Sequence, residues 1–324
     1  MKMRLRELES ILQKVKPFEK PNVELEQYPT SPHLAAQCLF AIQEIFGDIE
    51  DKNVLDLGCG PAILSIGACV LGASNVFGVD LDESALEIAR ENCEEIEADV
   101  ELFHHDVNTL TREILLQKIE ERRAQNDEAS EEEETNEETN EEKDDGEDEE
   151  DETDDGPIEH IDTVIMNPPF GTRKQGADMM FVQKALTIAK TAVYSLHKTS
   201  TREYILKKCE EWGVQAEVVA QLRWDIPKMY KFHKQKSADI QVDLIRIQTN
   251  HHEKKLGSHL VIVCSLVSVV LDQNEEGTRS RFHKVNKAKA LMRRRCQTLS
   301  KTRGTASLSR AGRLTASLRV TEFS

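Results

Sequence analysis

Apolar positions recur with two different periods along this chain, and the switches between them outline a fold. Leu5, Leu8, Ile11, Leu12 and Val15 fall on one face of a short helix. A loop containing three prolines follows. Ser31 then supplies a capping hydroxyl and Pro32 suits a first helical position, so a second helix is expected to reach about residue 46. From there short apolar runs alternate with helical patterns. Strands are predicted at 53–57, 75–79, 100–104, 162–166, 192–196, 214–224 and 240–247. Helices are predicted at 62–71, from the cap Asp82 to about 96, at 179–191 and at 203–212. Strands that are apolar almost throughout are covered on both faces, which means a mostly parallel sheet of α/β type. The last two strands have no helix between them and are expected to form an antiparallel hairpin at one side of this seven-stranded sheet.

Charge changes the domain count. The 324 residues carry a net charge of −17, but residues 127–155 hold twenty acids and one Lys. Residues 250–324 hold fifteen Lys and Arg against five acids. A run of like charge with almost no apolar residues cannot bury enough surface to offset its ordering entropy, so the acidic run is expected to be disordered. About 220 residues remain for one sizeable core. Seven Cys without a CxxC pair argue against a disulfide scaffold or zinc ribbon and fit a reducing compartment. The charged, amphipathic N-terminus is unlike a signal peptide, and the longest apolar run, 260–271, is well short of a bilayer span. A soluble intracellular protein without membrane contact is expected. The run 260–271 could also form a strand or an aggregation-prone segment.

Asp56-Leu57-Gly58-Cys59-Gly60-Pro61-Ala62-Ile63 lies where a strand turns into a helix. Glycines there let backbone approach a ligand closely and adopt positive φ. Asp80 stands twenty residues beyond Gly60 at the next strand end, the place where βαβ units put a carboxylate on ribose hydroxyls. A tight packing turn with a capping Asp80 is the plainer alternative. His104 and His105 have no third ligand at metal spacing, so no metal site is expected.

Asn167-Pro168-Pro169-Phe170 follows the strand at 162–166. Two prolines remove two backbone donors and leave carbonyls unpaired at the sheet edge where open α/β sheets bind ligands. Asn167 Oδ1 and the Pro168 carbonyl can each accept one hydrogen of a planar base's amine. Phe170 can stack on the ring, worth about 1–3 kcal/mol. This pocket needs positioning and electrostatics more than a strong base. Lys228, Lys231, His233, Lys234 and Lys236 surround Tyr230 and Phe232, a loop suited to phosphate contact and stacking, with Lys198 and Arg202 as extensions. A merely solvated charge cluster is the alternative.

The Gly-rich stretch resembles the DxGxGxG motif of class I S-adenosylmethionine-dependent methyltransferases, with Ala62 at the last glycine, where its methyl could narrow the cleft but is expected to be tolerated. The quartet resembles the [DN]PP[FYW] motif of amino-methyltransferases. With EQYPT (26–30), TVIMNPPFGT (163–172), TAVYSLHKTSTRE (191–203) and YKFHKQKSADIQVDLIR (230–246), the chain is similar to the methyltransferase-like protein 5 family of eukaryotic 18S ribosomal RNA adenine-N6 methyltransferases over about 1–117 and 157–248. The resemblance implies a Rossmann-like methyltransferase fold and S-adenosyl-L-methionine as cofactor, lined by Gln27, Thr30, Asp56, Gly58, Gly60, Pro61, Ile63, Asp80, Asp106 and Val107. Asp106 would accept from the cofactor's adenine amine and Val107 would donate its backbone N–H. Pro61 stands where the family usually has Cys, and Ile63 where it has Val. The resemblance further implies a ribosomal RNA substrate, a heterodimer with a small zinc-binding methyltransferase activator protein, and a place in nucleus and cytoplasm.

The expected organisation is a cofactor-binding half at 1–117, an acidic disordered insertion at 118–157, a substrate half at 158–249 and a basic tail at 250–324. The insertion departs from the family's short link; it could repel RNA, or mimic it and occupy the basic loop at low salt. Two other functions use the same features. A protein-glutamine methyltransferase would use the quartet without the basic loop. A non-catalytic cofactor-binding scaffold would use the insertion to engage basic proteins.

Overall fold

The structure, a computed structural model, describes residues 3–137, 158–227, 237–249 and 269–270. Lys228, Lys231, His233, Lys234 and Lys236, residues 138–157 of the insertion and nearly all of the basic tail lie outside the described residues.

α1 (Leu5–Leu12) opens with Glu7 Oε2 accepting from the Arg4 backbone N–H at 2.9 Å. α2 (Pro32–Phe46) starts as its sequence predicts: Ser31 Oγ accepts from Leu34 N–H at 3.2 Å, and Pro32 takes the first position. The sheet follows, with β1 (Asn53–Leu57), α3 (Ile63–Val70), β2 (Asn75–Asp80), α4 (Glu83–Ile96), β3 (Glu101–His104) and α5 (Arg112–Glu137). The second half comprises β4 (Ile161–Met166), α6 (Ala177–Ile188), β5 (Ala189–Lys198), α7 (Arg202–Glu211), β6 (Gln215–Pro227) and β7 (Ser237–Gln248).

Strand order is β3-β2-β1-β4-β5-β7-β6, completed by the two-residue β8 (Val269–Val270) beside β6. The first five strands are parallel; β7 is antiparallel to both β5 and β6. The expected α/β sheet of seven strands with a C-terminal hairpin is therefore present, with β8 as a short parallel addition at residues 269–270. Order reverses between β2-β1 and β4, so the C-terminal tips of β1 and β4 face one crevice, where such sheets bind ligands.

Both sheet faces are covered. Leu55, Leu57, Phe77 and Val79 share a core with Leu115 and Ile119 of α5, Val182 and Ala185 of α6, and Ile205 and Cys209 of α7. On the opposite face, reached by the alternate residues of β1, Asp56 bonds Ser65 of α3, which packs with α1 and α2.

Two expectations need correction. The expected helix at 179–191 ends at Ile188, and residues 189–191 open β5 instead. Ala189 takes extended backbone (ψ 134°) and registers against Ile161, so sheet pairing overrides the helical preference of Ala-Lys. The insertion is not irregular from residue 118: α5 continues to Glu137, anchored by fully buried Leu115 and Ile119. Arg122 stacks over Phe103 at 5.9 Å, and Arg123 donates to Asn75 Oδ1 at 2.6 Å, extending the anchorage. Among the described residues no helix is long and apolar enough to cross a membrane.

Candidate active site

A cavity of about 230 Å³ opens at the tips of β1, β2 and β4. The turn after β1 builds its floor. Gly58 (φ +78°) and Gly60 (φ +52°) adopt left-handed backbone, and Gly58 and Cys59 N–H both donate to Val79 O. Close approach also forbids a side chain at Gly60, because an added Cβ would lie 2.7 Å from the Phe18 ring. Ala62 carries the left-handed cap of α3 at φ +67°. Its methyl is fully buried and does not line the cavity, so it does not narrow the cleft; the residue stores backbone strain instead.

Three carboxylates reach the cavity from successive strand ends. Asp56 is buried, with Oδ2 taking both N–H and Oγ–H of Ser65 and Oδ1 left without a partner. Burial raises its pKa to about 7. Asp80 Oδ2 accepts from Gly60 N–H at 2.8 Å and Oδ1 from Asp82 N–H at 2.9 Å; burial raises this pKa as well. Asp106 Oδ1 accepts both the backbone and side-chain amide of Asn108 at 2.8 Å, which lowers its pKa. Val107 is buried beside it, and Pro61 and Ile63 line the same wall.

The segment between α1 and α2 closes the front like a strap. Asn92 of α4 holds its start, accepting from Lys16 N–H at 2.9 Å while donating to Lys16 O and to Pro61 O, each at 3.0 Å. Gln27 Nε2 donates to Asp82 Oδ2 at 2.7 Å. Thr30 Oγ1 accepts from Asn167 Nδ2 at 2.9 Å, tying the strap to the substrate quartet. Asn167 and Pro169 line the cavity; Pro168 is buried and lies outside its lining. Phe170 also lies outside the lining, edge-on to buried Trp224 with ring centroids 5.8 Å apart. Lys198 Nζ sits 5.3 Å from the Phe170 centroid, a cation over the ring.

Arg202 does not extend that track. Its guanidinium grips Asp243, with Nε at 2.7 Å and Nη2 at 2.6 Å, and the Asp243 carboxylate is fully buried. The cation is committed to the fold. Beneath the quartet, Ser195 and His197 of β5 share a 2.8 Å hydrogen bond, and burial lowers the His197 pKa to about 4, so this imidazole is neutral at pH 7. Among the described residues no cluster of His, Cys, Asp and Glu could hold a metal.

Sequence reasoning missed Glu26, Phe18, Lys174 and Phe181, all of which line the cavity. Glu26 lies inside the EQYPT segment, and its charge in a Pro-flanked loop was the one available signal.

A Gly-rich turn, three strand-end carboxylates and an Asn-Pro-Pro-Phe corner around one crevice define a class I S-adenosylmethionine-dependent methyltransferase. Residues 30–141 match the ribosomal protein L11 methyltransferase (PrmA) family. The zebrafish (Danio rerio) rRNA N(6)-adenosine-methyltransferase METTL5 is 46% identical over 246 residues, covering 75% of this chain and 98% of the relative. The Drosophila melanogaster rRNA N(6)-adenosine-methyltransferase Mettl5 is 43% identical, covering 76% and 97%. Among solved structures, PH1948 of Pyrococcus horikoshii, a candidate RNA methyltransferase, aligns with a TM-score of 0.56 at 30% identity over 77% of this chain and 98% of its own. The chain belongs to the rRNA N(6)-adenosine-methyltransferase family.

The residues present fit S-adenosylmethionine. The buried Asp56 Oδ1 has no hydrogen-bond partner and can accept from the donor's polar groups, and left-handed glycine backbone at Gly58 and Gly60 lets a ligand approach closely.

Proposed function

We propose that this protein methylates N6 of an adenosine in small-subunit (18S) ribosomal RNA. One observation carries the reading: Asn167 and Pro169 line the same cavity as Asp56, Asp80 and Asp106, so methyl donor and amine acceptor share one enclosure. S-adenosylmethionine, when bound, would supply an electrophilic methyl on a cationic sulfur. Asp56 and Asp80 provide negative charge for the donor's cationic and hydroxyl groups, and Asp106 with the Val107 N–H frames the donor's adenine. Asn167 Oδ1 and the Pro168 carbonyl each accept one hydrogen of the target amine, which turns its lone pair out of the ring plane. Phe170 stacks on the target base, with Lys198 beside it for phosphate. One amine proton leaves after transfer, so no strong base is required beforehand.

The cationic segment 228–236 is proposed to hold the RNA backbone. Among the described residues β3 ends the sheet with one edge unpaired, which suits strand addition by a small zinc-binding activator protein. The proposed places of action are nucleus and cytoplasm, testable by imaging a tagged full chain.

The experiment is methyl transfer to ribosomal RNA by the chain with its activator, beside Asn167→Ala. The substitution is expected to lower the rate at least 100-fold while cofactor affinity stays within twofold. Transfer to glutamine peptides in place of RNA, or cofactor binding without any transfer, overturns the proposal.

A further inference from the structure

The two halves of the cavity are joined by the strap at two points beyond its contacts with the cofactor turn. At the start of the quartet, Thr30 Oγ1 accepts from Asn167 Nδ2. At its exit, Glu26 Oε2 accepts from Thr172 Oγ1 and Oε1 from Arg173 N–H, each at 2.8 Å. Glu26 is buried and holds left-handed backbone at φ +53°, a conformation that costs a non-glycine residue about 1 kcal/mol and persists only where surroundings impose it. Here both oxygens of its carboxylate are taken by the substrate loop.

An asparagine amide has two faces of opposite chemistry. With Nδ2 toward the target amine, donor would face donor and the site would repel its substrate; only Oδ1 can accept. The two orientations are nearly equal in shape, so packing alone cannot choose between them. Here Thr30 Oγ1 accepts from Nδ2, so its own proton points away from the amide and Oδ1 is left for the substrate. We infer that Thr30 and Glu26 are positioning residues for methyl transfer: Thr30 fixes the Asn167 amide with Oδ1 toward the substrate, and Glu26 fixes the loop that carries it. This rests on the amine-accepting role of Asn167 proposed above, and it gives Thr30 a second duty besides lining the cofactor.

Thr30→Val keeps the shape and removes the acceptor; Thr30→Ser keeps the acceptor and trims a methyl. Measured under single turnover on ribosomal RNA, Thr30→Val is expected to lose about tenfold in rate, the worth of one hydrogen bond. Any rise in its cofactor Kd should be smaller than the fall in rate, and Thr30→Ser should recover to within about threefold of the parent. Glu26→Ala, which leaves the Arg173 N–H and the Thr172 hydroxyl without their acceptor, should lower the rate several-fold, with a smaller change in cofactor Kd. A loss confined to cofactor Kd, or a Val variant as fast as the parent, overturns the assignment. Nitrogen-15 NMR of the Asn167 side chain separates this from the adenosine reading. Slowed NH2 exchange in the parent that is lost in Thr30→Val supports the assignment whatever the substrate, and fast exchange in both refutes it. Absence of RNA methylation by the parent protein refutes the adenosine reading alone.

Discussion

On the β1–β3 side of the cavity the ligand-facing groups are carboxylates held by backbone no more than twenty residues away: Asp80 by Gly60 and Asp82, Asp106 by Asn108. On the β4–β5 side they are an amide, a ring and a cation, and their supports come from far along the chain: Thr30 for Asn167, Glu26 for residues 172–173, Trp224 for Phe170. The first side is preorganised locally and tolerates distant change. The second is preorganised only when the whole domain is assembled, which makes it the more fragile half.

Arg202→Ala should have the largest effect on this contrast. It leaves the fully buried Asp243 carboxylate with Thr199 as its remaining hydrogen-bond donor, and about 3 kcal/mol of stability should be lost, seen as a lower urea midpoint at unchanged slope. A variant as stable as the parent but weaker on RNA would return Arg202 to the RNA track. Gly60→Ala strikes the local side instead. A Cβ 2.7 Å from Phe18 on left-handed backbone should weaken cofactor binding at least tenfold by calorimetry and leave the Phe170–Trp224 side intact.

Acidity separates the halves more gently. Asp56 takes up a proton near pH 7, and a neutral acid does not attract the cationic donor. Cofactor affinity should therefore fall as pH drops below about 7, by at most tenfold per unit, and Asp56→Asn should flatten the profile. His197 responds in the opposite region. Its folded pKa of about 4 lies below the ordinary 6.5, so its stabilising contribution is complete above pH 6.5 and is lost as pH falls toward 4. The smallest expected effect is removal of residues 127–155, which deletes a net charge of −19. RNA affinity should rise a few-fold at low salt and little at high salt; equal gains across a salt series would show the run acting other than by charge.

The same contrast explains what could be read in advance. The Gly58–Gly60 turn, Asp80 and Asp106 were legible because strand, turn and acid lie within about fifty residues and obey fixed spacings. Asn167–Phe170 was legible because two prolines after a buried strand leave few alternatives. Thr30 meets the quartet across 137 residues and Glu26 meets the loop just beyond it across 146 and 147, and no periodicity carries such pairings. Arg202 read as a surface cation because its buried partner Asp243 sits on β7, forty-one residues on. The helical start of the insertion was hidden because composition averages the anchored turns of α5 together with the acids that follow.

β7 lies between β5 and β6 although it comes after both in the chain, and Arg246 at its far end reaches Asp48 across 198 residues. During synthesis the nascent chain therefore presents β5 with a bare edge until residue 248 has left the ribosome. The donor-binding portion can settle early, whereas the methylation-competent corner is among the last parts of the domain to take shape. A translational pause or truncation shortly before β7 would thus yield a product able to capture the donor yet unable to use it.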